Sequence, residues 1–164
     1  MNRTKFKEAV APIVSDFLRV GMWQIKPISK STDPESGIMR TIYTYGRGES
    51  AGKIIVHGEL REQDRGAFLI IRALDKGNEY EGVKGEIADL TKMKGLKRPT
   101  QPSAINPMWD SIERLLDVHI RIKPNRRGGS LSSAFKLVTG DLNTDGSFFL
   151  LTHDYQKTIE HLKL

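Results

Sequence analysis

The chain has no cysteine. That excludes disulfides, a thiolate nucleophile and cysteine-ligated zinc, and it is compatible with a reducing compartment. No apolar run approaches the length of a membrane span, and the opening MNRTKFKEAV lacks the apolar stretch of a secretory signal. A cytoplasmic protein with no membrane partner is expected. There is no internal repeat and no low-complexity tract. The loops Gly46-Arg-Gly-Glu-Ser50 and Arg127-Gly-Gly-Ser130 lack the lysine and helix context of a phosphate-binding P-loop. The histidines, His57, His119, His153 and His161, are scattered without strong metal-ligand spacing.

What the chain does have is positive charge in one place. Between Lys92 and Arg127 nine basic residues face three acids, a surplus equal to the net charge of +6 on the whole protein. The flanking regions are close to neutral, so one region would attract a polyanion. Nucleic acid is the first candidate. With 164 residues and 38% hydrophobic content, the chain is large enough for one domain or two small ones with a true core.

Periodicity organises the rest. Phe6, Val10, Ile13, Val14, Phe17 and Leu18 recur at helical spacing, with Pro12 as a kink and Gly21 as a stop. From Met22 to Leu90 the pattern predicts strands at 23–28, 39–45, 53–57, 68–74 and 85–90, separated by turn-forming stretches. A segment rich in proline and lysine, 92–106, reads as a linker or long loop. Asn106 then caps a helix with Pro107 in its first turn and Trp109, Ile112, Leu115 and Leu116 on its apolar face. Strands at 118–122, 135–138 and 148–151 and a closing helix from Tyr155 through Leu162 complete the chain. The expectation is an α+β fold: an N-terminal helix and a strand-rich domain over 1–91, then a smaller α+β unit over 107–164 carrying the basic surface.

The stretch Gly77-Asn-Glu-Tyr80-Glu-Gly82-Val83-Lys-Gly85-Glu-Ile87-Ala-Asp-Leu90 resembles the KOW element of bacterial elongation factors and ribosomal proteins. The resemblance implies an SH3-like barrel over 66–90 whose glycines sit at sharp bends or positive φ. It also implies a nucleic-acid or polymerase-associated binding module. As a whole, the size, charge and layout, with the opening RTKFKEAVAPIVSDFL and the segment GVKGEIADL, resemble the small early DNA-binding proteins of T4-like bacteriophages. That resemblance implies a DNA binder acting in an infected bacterium.

The candidate contacts are two clusters, Lys92, Lys94, Lys97 and Arg98, then Arg121, Lys123, Arg126 and Arg127. In the second, a strand alternating basic and apolar residues enters a glycine loop that lets guanidinium groups and amides approach phosphates. Trp23, Tyr43, Tyr45 and Trp109 could stack on unpaired bases, but their spacing favours packing, which directs the reading toward duplex backbone. Asp110, Glu113 and Asp117 on the helix after Pro107 would be repelled by a groove, so sequence readout has no carrier. Asp141-Leu-Asn143-Thr-Asp145-Gly146 matches the opening of a calcium loop but has Thr152 at the twelfth position, and an Asp-Gly hairpin turn accounts for it without metal. The expected function is non-catalytic, sequence-independent binding of double-stranded DNA without a cofactor. The alternative is an interaction module directed at a host polymerase or nucleoid protein. Phosphodiester cleavage through His57 or His119 is a distant third.

Overall fold

Alternation along the strands builds the larger sheet. A computed structural model of the chain describes residues 29–32, 37–45, 52–75, 80–124 and 133–162. Strands β1 (Ser29–Thr32), β2 (Met39–Tyr45), β3 (Gly52–His57), β5 (His119–Pro124) and β6 (Ser133–Lys136) form a five-stranded sheet in the order β1-β2-β3-β5-β6. Pairing from β1 through β5 is antiparallel, with Ile54 opposite Ile122 and Val56 opposite Ile120. Because side chains alternate between faces, Ile54, Val56, Ile120 and Ile122 share one face and are at most 3% exposed. Lys53, Arg121 and Lys123 go to the other and are exposed.

The second assembly has a different logic. Helix α1 (Glu62–Leu74) buries Asp64, Ala67, Phe68 and Ile71, helical spacing that gives one inward stripe. Strand β4 (Val83–Glu86) leads into α2 (Ile87–Met93), a turn, and α3 (Pro102–Asp117). Hairpin β7 (Thr139–Leu142) and β8 (Ser147–Leu151) completes an antiparallel sheet in the order β4-β8-β7, before α4 (His153–Leu162). Helix, strand, helix, helix, strand, strand with the last strand in the middle is the order of a winged helix. The five-stranded sheet's β5 and β6 are inserted between α3 and the hairpin.

The chain divides into two compact units, Met1–Glu59 with Val118–Phe135 and Thr158–Leu164, and Leu60–Asp117 with Lys136–Lys157. These boundaries do not follow the linear division at 91 and 107. Residues 92–106 are not a linker: Lys92 and Met93 finish α2, and 102–106 begin α3. The buried Thr91 hydroxyl lies within hydrogen-bond distance of the carbonyls of Ala88 and Pro99, at 2.9 and 2.6 Å, which folds the intervening turn back onto α2.

The fold is α+β as expected, and the strands at 39–45, 53–57, 118–122 and 148–151 and the closing helix are present within a few residues. Two expected strands are helices instead, and they fall where the KOW-like barrel was expected. Residues 68–74 belong to α1 because the buried positions repeat at three and four, not two, and Leu69 is 53% exposed. The expected strand 85–90 stops at Glu86. There the Asp89 carboxylate accepts the Glu86 backbone N–H at 2.9 Å and turns the chain into α2. Helix α3 starts five residues before Pro107, with Pro102 in its first turn; the carbonyl that Pro107 cannot satisfy belongs to the exposed Ser103. Residues 135–138 split between the end of β6 and the approach to β7. The expected N-terminal helix, the strand at 23–28, Gly77 to Glu79, and Arg126 and Arg127 lie outside the described residues.

Candidate nucleic-acid interface

The outward face of the five-stranded sheet is a grid set by register. Across β2, β3 and β5 its rows are Arg40-His57-His119, Ile42-Ile55-Arg121 and Thr44-Lys53-Lys123. The imidazoles of His57 and His119 stack with centroids 4.3 Å apart and planes 9° from parallel. Lys53 stands directly opposite Lys123, a like-charge cross-strand pair that costs stability. The nine grid positions contain Arg40, Lys53, Arg121 and Lys123 and no carboxylate. Lys53, Arg121 and Lys123 form no ion pair among the described residues.

The other expected cluster lies in the winged-helix unit. Lys92 is in the last turn of α2, Lys94 is its C-cap, and Lys97 and Arg98 lie in the turn before α3; all four are exposed. None forms an ion pair among the described residues. The turn is hydrogen-bonded rather than open: the amides of Lys94 and Gly95 donate to Leu90 and Lys92, and that of Gln101 donates to Arg98. The two clusters thus belong to separate units. Arg126 and Arg127 follow β5 in sequence and are outside the described residues.

Helix α3 occupies the place of the second helix in a helix-turn-helix, the one that enters the major groove in DNA-binding members of that class. Its solvent side carries Asp110, Glu113 and Asp117. Its one arginine turns inward, where Arg114 Nε and Nη2 bind the buried Asp64 carboxylate at 2.9 and 2.8 Å. The three carboxylates of α3 are exposed as the sequence predicts, whereas the helix-turn-helix that contains them was not expected. A glycine between two short helical patterns would have been the signal, but α2 was read as a strand.

Trp109 is half-buried beside the hairpin and donates from Nε1 to Glu113 at 2.8 Å. Tyr43 lies on the inward face of the sheet, where burial raises its phenol pKa. Neither is presented by the cationic grid, which has no aromatic ring except the stacked imidazoles. Arg40 and Lys53 were missed by counting charge along the sequence, because neutral stretches conceal them; strand alternation assigns their face only once the register is known. The Asp141–Gly146 segment is a hairpin turn: Gly146 N–H donates to Asn143 at 3.0 Å, and Asp145 accepts from the amide and hydroxyl of Ser147.

No helix among the described residues is long and apolar enough to cross a membrane. No protein-family model matches the chain, and no curated protein matches its sequence. Among solved structures the fold is similar to that of domains 2 and 3 of RctB. The fragment RctB-155-483 has a TM-score of 0.53 at 12% identity, covering 83% of this chain and 55% of that one. A selenomethionine derivative of the same two domains has a TM-score of 0.57 at 12% identity, covering 91% and 60%. The chain spans less than two thirds of either fragment, and at this identity the likeness is one of fold.

Proposed function

We propose that this protein binds double-stranded DNA through phosphate contacts from the cationic sheet face, with little sequence preference and without catalysis. The observation that carries the reading is the Lys53–Lys123 pair: two ammonium groups without an ion pair among the described residues, held opposite each other in a grid whose nine positions carry no carboxylate. Such a pair is unfavourable in the free protein and is relieved when a polyanion supplies the missing counter-charge. Arg40 and Arg121 extend the same face, and Lys92, Lys94, Lys97 and Arg98 supply a second group of cations in the winged-helix unit. The absence of exposed rings from the grid favours duplex backbone over stacked single strands. The resemblance to phage early DNA-binding proteins extends the proposal to modulation of transcription or nucleoid state.

The test is Lys53→Gln with Lys123→Gln, measured for both stability and DNA binding. Removing the repulsion should leave the melting temperature unchanged or raised, while affinity for a duplex falls. The log–log salt slope should flatten by about 0.9 for each phosphate that is no longer neutralised. Unaltered affinity and slope in a folded variant would dismiss the sheet face as the DNA-binding surface.

A further inference from the structure

The winged-helix unit has a second charged surface, of opposite sign. Trp109, Glu113, Leu116 and Asp117 of α3 face Gly140, Asp141, Leu142 and Thr144 of the hairpin across an open groove of about 380 Å³. Its floor is apolar, with half-buried Trp109, Leu116 and Leu142. Its rim bears three exposed carboxylates, Glu113, Asp117 and Asp141, and its lining contains no basic residue. Strand β7 is the outer strand of the β4-β8-β7 sheet and pairs on one side only among the described strands, leaving a sheet edge that an extended chain can join.

We infer that this groove docks an extended, lysine- or arginine-rich segment of a partner protein, one of whose apolar side chains enters between Trp109 and Leu142. Charge decides the occupant. A nucleic acid would meet three carboxylates where it needs cations, whereas a cationic segment meets complementary charge on the rim and an apolar anchor site below. The hairpin edge supplies main-chain hydrogen bonds for an extended segment, and the groove volume is at the lower end of the range of small-ligand pockets. The groove lies in the winged-helix unit and the cationic sheet face in the other unit, so no residue is shared between the two sites.

Anisotropy of a fluorescein-labelled peptide of alternating lysine and leucine tests the proposal, with lysine–serine and glutamate–leucine peptides as controls. The full chain should bind the lysine–leucine peptide saturably and more tightly than either control. Glu113→Gln with Asp117→Gln should weaken that binding by about tenfold or more while keeping the wild-type melt, since glutamine still accepts from Trp109; Glu113→Lys with Asp117→Lys should abolish it without lowering duplex-DNA affinity. Equal binding by wild type and variants, or no preference among peptides, overturns the groove. Sedimentation showing a wild-type dimer that both variants lose would also overturn it, since a second copy would then be the occupant. Failure of DNA to bind the sheet face would leave this result untouched, so the two proposals fail separately.

Discussion

Asp64 shows how one residue holds the winged-helix unit together. It is fully buried, and its oxygens accept from the Arg61 amide at 2.8 Å, the Ser111 hydroxyl at 2.7 Å, and Arg114 Nε and Nη2. The same carboxylate therefore closes the first turn of α1 and ties it to α3. A buried ion pair contributes little over an apolar replacement, but breaking it on one side strands a charge. Arg114→Leu should thus cost roughly 3–5 kcal/mol, whereas Asp64→Leu combined with Arg114→Leu should cost less than Arg114→Leu alone. Thermal or urea melts of the three variants check the order, and a double variant weaker than the single one would contradict it. Gly82 makes a second residue-scale case. It has φ of +54°, and a Cβ there would lie 2.7 Å from the Phe149 ring and 2.8 Å from the Leu150 carbonyl. Gly82→Val should destabilise by at least ~1–3 kcal/mol through backbone strain alone, with the clash adding to it. A melt equal to wild type would be incompatible with the observed approach to β8.

At the scale of elements, sequence was legible where one periodicity was unopposed. Met39–Tyr45 and Lys53–His57 are rich in β-branched and aromatic residues with no helical stripe to oppose them, and both are strands. Phe68-Leu-Ile-Ile is rich in strand formers, yet it lies in α1 because Asp64, Ala67, Phe68 and Ile71 all face one core: burial outweighed local propensity, a weak prior of tenths of a kcal/mol per residue. The basic residues of the candidate interface were legible by type, whereas the grid joining Lys53 to Lys123 was not, since cross-strand register depends on partners far apart in sequence. The turn joining β7 to β8 was readable because Asp145-Gly146 specifies it by local chemistry, whereas β7 itself lies just beyond the strand expected at 135–138. Its Asp145 carboxyl is held below the ordinary aspartate pKa, first by the Ser147 hydroxyl and then by the Ser147 amide. A depressed folded pKa means that the contribution is present above the unfolded pKa and is lost as pH falls through the folded value. Asp145→Asn should therefore lower the melting temperature at pH 6 relative to wild type, and the difference should shrink toward pH 3. A difference constant across that range would show that the charge on Asp145 has no part in holding the turn.

For the whole molecule, the distribution of charge determines what kind of DNA binding to expect. The candidate contact cations that are described lie on a sheet face and in and around the turn before α3, while α3, whose counterpart enters the major groove in DNA-binding helix-turn-helix proteins, exposes Asp110, Glu113 and Asp117. Specific readout gains roughly 4–10 kcal/mol over non-specific sites and needs side chains that can pair with base edges. A surface of lysine and arginine against phosphates supplies affinity without that gain. Unrelated duplexes of equal length should therefore bind within a few-fold of one another, and every affinity should fall by orders of magnitude between about 50 and 200 mM salt if six or more phosphates are engaged. Lys97→Gln with Arg98→Gln should lower affinity for all duplexes alike, since phosphate contacts are blind to sequence. Competition between labelled and unrelated unlabelled duplexes at two salt concentrations measures both quantities. A preferred sequence bound a thousandfold more tightly than the rest would refute the phosphate-only reading and require a base-reading element outside the acidic face of α3.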